Sequence, residues 1–102
     1  MEIRYKKVKD TLYVYLCGEL DEYTATAVRS AVDGLLDRNV RATSVVFNLS
    51  GLTFMDSTGI GMLIGRYKKL KRIGIPVYLQ SAPVSIEKIL QLSGLYQVMP
   101  KI

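Results

Sequence analysis

The chain contains no histidine, no tryptophan and only one cysteine among its 102 residues. Without histidine, zinc sites of the Cys/His type and any Ser-His or Cys-His catalytic pair are excluded within the chain, so catalysis by this chain alone is not expected. Cys17, at the end of the apolar run Leu12 to Leu16, has no partner for an internal disulfide; it reads as a small buried thiol and fits a reducing compartment. No stretch approaches the ~20 uninterrupted apolar residues that cross a bilayer, and the segment from Met1 to Lys7 lacks the apolar core of a signal peptide. A soluble, cytoplasmic protein without membrane contact is expected. A Gly-x-x-x-x-Gly-Lys-[Ser/Thr] loop is also missing, which argues against tight nucleotide binding, and no metal or cofactor is called for. Repeats, low-complexity segments and linkers are absent as well.

What remains is 49% hydrophobic and 23% charged, enough for one core and too short for two ordinary domains, so residues 1–102 read as a single domain. The formal charge of +5 raises the question of nucleic acid. Its main cluster, Arg66, Lys68, Lys69, Lys71 and Arg72, lies late in one helix, with no aromatic beyond Tyr67, whose helical phase is apolar. A solvated helix end explains that cluster, with contact to an acidic partner as the alternative, and no direct nucleic-acid partner is expected.

Along the chain, Ile3 to Val8 and Leu12 to Leu16 read as two strands joined by the short polar turn Lys9-Asp10-Thr11, an antiparallel hairpin ended by Gly18. From Thr24 to Asp37, Val28, Ala31, Val32, Leu35 and Leu36 recur at helical spacing, with Asp21 or Thr24 as the capping oxygen. Ser44 to Leu49 is apolar and β-branched, the pattern of a central strand covered on both faces. A helix then runs from the Ser57 loop to near Gly74, followed by a strand at Val77 to Leu79, a helix from about Val84 to Ser93 stopped by Gly94, and a last short strand near Tyr96 to Met99. The order β-β-α-β-α-β-α-β implies parallel crossovers, hence an α/β fold with a mixed β-sheet and helices packed against it. In such sheets ligands gather at the carboxyl ends of the strands, where the Ser57 loop opens.

That loop is the candidate site. Phe54-Met55-Asp56-Ser57-Thr58-Gly59-Ile60-Gly61 follows a strand and starts an amphipathic helix, whose first amide groups lack internal partners and favour an anion. Serine at a helix start is commonly just a cap, but Thr58 and Asp56 can also cap, and spacing alone does not assign the roles. On a helical wheel, Ile60, Leu63, Ile64, Tyr67 and Leu70 gather on the sheet side, while Gly61 and Gly65 fall about 140° away, in one stripe with Ser57, Lys68 and Arg72. A glycine inside a helix costs ~1 kcal/mol relative to alanine, so two on an outward face want a reason. Either a neighbouring element of the domain packs there, or the two glycines are simply tolerated, or a partner docks on bare backbone beside Ser57, rimmed by Met62 and Lys68. A phosphate on Ser57 would bring about −1.5 to −2 charges next to Asp56 without disturbing the fold, and would displace a partner fitted to a neutral hydroxyl.

The segments Gly18-Glu19-Leu20-Asp21, Asn48-Leu49, Phe54 to Gly61, Gly65-Arg66-Tyr67-Lys68 and Ser93-Gly94-Leu95 resemble a stand-alone STAS domain of the anti-sigma factor antagonist kind, most like the sporulation type. The resemblance covers essentially the whole chain. It implies partner switching: the unmodified protein binds an anti-sigma factor that is also a serine kinase and thereby releases the sigma factor. The kinase uses ATP to phosphorylate the serine matching Ser57, which ends binding, and a PP2C-type phosphatase reverses the change. Asp21 matches a loop aspartate near that serine and is expected in the docking surface with Asp56, Thr58, Gly59, Gly61, Met62, Gly65 and Lys68. The basic balance is not what such a switch by itself calls for. The alternatives are a module that binds a small anionic ligand or nucleotide at the same helix start, or a part of a different partner-switching or sensory assembly.

Overall fold

The computed structural model describes residues 1–39 and 41–102. Four strands, β1 (Glu2–Val8), β2 (Thr11–Leu20), β3 (Ser44–Met55) and β4 (Val77–Gln80), form one sheet in the order β1-β2-β3-β4. β1 pairs antiparallel with β2 across a tight turn, from Val8 opposite Thr11 to Glu2 opposite Cys17. β2 with β3 and β3 with β4 are parallel, the mixed sheet that alternating strands and helices predict. The crossovers carry α1 (Ala25–Arg38) and α2 (Ser57–Lys71), and α3 (Val84–Ser93) follows β4.

All three helices bury their apolar stripes into one face of the sheet. Leu12, Val14 and Leu16 of β2, Val45, Phe47 and Leu49 of β3 and Val77 and Leu79 of β4 share one core with Val28 and Val32 of α1, Leu63 and Leu70 of α2, and Ile86 and Leu90 of α3. The domain therefore has two layers. Val46 is also buried but stands outside this core, on the opposite face, between its cross-strand neighbours Tyr13 and Tyr78. Neighbouring strands thus cover Val46 alone: Asn48 on the same face is half-buried and Ser50 exposed, so the expected cover on both faces of the central strand is not found, the helices lying on one side.

Three further sequence-based expectations change. Gly18 does not end β2: at φ +114 it takes up a register shift against β3, and the pairing resumes with Glu19 opposite Phe54 and Leu20 opposite Met55. β3 likewise runs past Leu49 to Met55, so both strands deliver their ends to the Ser57 loop. The last strand expected near Tyr96 to Met99 is instead a 3₁₀ turn, Leu95–Gln97. Leu95 and Met99, the buried residues there, lie four apart, a helical rather than a strand spacing, and the Met99 amide donates to the Leu95 carbonyl at 2.9 Å. Among the described residues, the chain after α3 meets β4 in an isolated bridge between Leu79 and Lys101.

Candidate functional site

The paired ends of β2 and β3 place two loops side by side, one leading from Asp21 into α1 and one from Asp56 into α2. In the first, Asp21 is almost fully buried at 9% exposure, and its Oδ1 accepts from the amides of Tyr23 at 2.9 Å and Thr24 at 3.1 Å. The Thr24 hydroxyl donates to the Glu19 carbonyl at 2.9 Å and accepts from the Asp21 amide at 3.1 Å. These bonds fold the loop tightly, the usual use of an aspartate two residues before the amide it accepts from.

In the second loop Asp56 is the N-cap of α2, its Oδ1 accepting from the Gly59 amide at 3.1 Å. The ambiguity among Asp56, Ser57 and Thr58 is thus resolved in favour of the aspartate. Ser57 and Thr58 occupy the first turn with exposed side chains, released from the capping role. Gly59 is buried, and a Cβ there would stand 2.7 Å from both the Leu20 carbonyl oxygen and the Met55 Cγ. Glycine at this position lets the first turn of α2 dock against the end of β2, so Gly59 belongs to the packing beneath the surface.

Gly61 is exposed and Gly65 half-buried, and a Cβ at either would meet nothing within 4 Å. Between them and α1 runs a groove lined by Thr26, Arg29, Thr58, Gly61, Met62, Gly65 and Arg66. A second groove, on the α3 side, is lined by Asp56, Ser57, Ile60, Ile89 and Leu92, with Leu92 81% exposed. Ser57 therefore opens toward an apolar groove and Thr58 toward a basic one. Lys68 is exposed farther along α2.

Met62 is a correction. Expected outward on the rim, it lines the α1 groove but is buried at 6% exposure, because α2 packs against α1 as well as the sheet and its covered arc is wider than a single-neighbour wheel allows. Arg66 departs from the solvated cluster for the same reason. It is 8% exposed, and its Nε lies 2.8 Å from Asp33 Oδ1 of α1, an ion pair by proximity without hydrogen-bond alignment. Burial pushes the guanidinium below the ordinary arginine range, the Asp33 charge pulls it back up, and Arg29 pushes it down again. Lys69 reaches both Asp33, at 3.6 Å, and Asp37, at 2.9 Å. Arg29, exposed in the same groove, has no ion pair among the described residues, so the positive charge of the groove rests on it. Sequence reasoning missed this residue, since nothing in the α1 pattern ties it to Gly61 and Gly65.

Comparison with known proteins fixes the family: the STAS domain profile matches residues 2–102. The chain belongs to the STAS domain family. This STAS domain is 33% identical over 100 residues to the anti-sigma F factor antagonist of Paenibacillus polymyxa, covering 98% of the chain and 85% of that protein. Its fold is similar to the anti-sigma factor antagonist SpoIIAA in its unphosphorylated form, with a TM-score of 0.80, 26% identity, and coverage of 99% of this chain and 88% of that one. It is also similar to the Bacillus cell fate determinant SpoIIAA in its phosphorylated form, with a TM-score of 0.72, 25% identity, and coverage of 99% and 91%. No helix among the described residues is long and apolar enough to cross a membrane.

Proposed function

We propose that this STAS domain is an anti-sigma factor antagonist. In its unphosphorylated form it binds an anti-sigma factor that is also a serine kinase, releasing the sigma factor, and phosphorylation on Ser57 ends that binding. The domain is the substrate and its partner the catalyst; a PP2C-type phosphatase resets the switch. The observation that carries this reading is the exposed first turn of α2, where Asp56 does the capping and leaves the Ser57 hydroxyl accessible to a kinase. The relatives named for anti-sigma factors, one of them known in both phosphorylation states, supply the chemistry.

The switch follows from charge. A partner seated on Ser57, Thr58, Gly61 and Gly65, with Lys68 at its edge and Asp21 shaping the neighbouring loop, meets a small neutral hydroxyl. After phosphorylation it meets about −1.5 to −2 charges beside the Asp56 carboxylate and an apolar groove, which it must desolvate to keep its seat. The fold tolerates the same group, because a helix N-terminus favours an anion. Incubation with the cognate anti-sigma kinase and ATP should add one phosphate to the wild type and to Thr58→Ala, and none to Ser57→Ala. Labelling that persists in Ser57→Ala would refute the assignment.

A further inference from the structure

We propose that Asp56 is a positioning residue, which ties the Asp21 loop to the start of α2 and so holds the two halves of the docking surface in one arrangement. Its two carboxylate oxygens are used on different elements. Oδ1 accepts from the Gly59 amide at 3.1 Å, within its own helix, while Oδ2 accepts from the Glu22 amide at 3.3 Å, across 34 residues of sequence. The Asp56 amide also donates to the carbonyl of Leu20, the last residue of β2, at 3.3 Å, so the residue holds the end of β2 with its backbone and the connection beyond it with its side chain. Glu22 lies between Asp21 and Tyr23, whose amide Asp21 holds, and the grip falls in the middle of the turn that Asp21 organises. A cap alone uses one oxygen and one amide of its own helix, and any of several residues supplies that. The second oxygen needs a carboxylate: an asparagine side chain that keeps its oxygen on Gly59 presents an NH₂ donor to the Glu22 amide, also a donor.

This role rests on the reading of the Ser57 surface as the docking site, but its first test needs no partner. In isolated Asp56→Asn, amide exchange followed by NMR should leave Gly59 protected, while Glu22 exchanges at least about threefold faster and the Tyr23 and Thr24 resonances move. Unchanged amides from Glu22 to Thr24 would overturn the proposal. With the anti-sigma kinase, Asp56→Asn should raise KM for Ser57 phosphorylation about fivefold and leave kcat in place. The Asp21→Asn/Asp56→Asn double variant should then bind no worse than the weaker single variant, since both act through one loop. Losses that multiply would mean that Asp56 contacts the partner independently, and would overturn the proposal too. A wild-type chain that the kinase never phosphorylates would count against the proposed function; the positioning role would then be decided by the amides alone.

Discussion

Gly59 and the pair Gly61 and Gly65 lie within two turns of the same helix and have opposite reasons to be glycine. At Gly59 a methyl group would run into the Leu20 carbonyl oxygen at 2.7 Å, a backbone atom that cannot swing away; at Gly61 and Gly65 it would meet nothing within 4 Å. The first glycine is demanded by the packing of the domain on itself. The other two lower the helix propensity of α2 and gain no packing within the domain, which is what the proposed docking strip would explain. Ser57 and Thr58 begin the strip, and the grooves to α1 and α3 flank it. The contrast separates the part of the loop that builds the domain from the part that is proposed to face a partner.

The largest effect should come from Gly59→Ala. The overlap with Leu20 and Met55 exceeds the gain in helix propensity, for a net loss of about 2 kcal/mol in chemical denaturation. A stable Gly59→Ala protein would erase the contrast at once. Arg66→Ala should follow, destabilising by about 1.5 kcal/mol, because it leaves Asp33 without its 2.8 Å partner and loosens α1 against α2. Gly61→Ala and Gly65→Ala should move the other way, each stabilising by about 0.8 kcal/mol while weakening binding of the anti-sigma kinase in calorimetry. Stabilised variants that bind as tightly as the wild type would remove the argument for a docking strip. Lys68→Ala, exposed at the edge of the strip, should change stability by less than about 0.5 kcal/mol, which leaves any lost affinity attributable to the interface itself.

Periodicity made most of the fold legible. The hairpin, the central β3 and three helices followed from apolar spacing and from Gly74 and Gly94, both of which adopt left-handed φ values at helix ends. The exceptions share a cause. Met62 and Arg66 were misplaced because a wheel assumes one neighbour, whereas α2 has the sheet on one side and α1 on the other. The extension of β2 through Gly18 depended on pairing with β3, a long-range contact without a local signature. At the site, Ser57 was found from its motif and its place after a strand. The use of Asp56 on two loops and the meeting of Arg29 with Gly61 and Gly65 arise only when β2 and β3 bring α1 and α2 together.

The most direct measurement of the central claim compares the unmodified chain with a sample phosphorylated on Ser57, titrating each into the anti-sigma kinase and recording thermal unfolding of both. A switch driven by charge predicts that the phosphorylated sample loses at least about a hundredfold in affinity, ~2.7 kcal/mol, while its unfolding midpoint stays within a few degrees of the unmodified chain. Equal affinities would contradict it, and so would a phosphorylated chain that loses its partner only because it has unfolded.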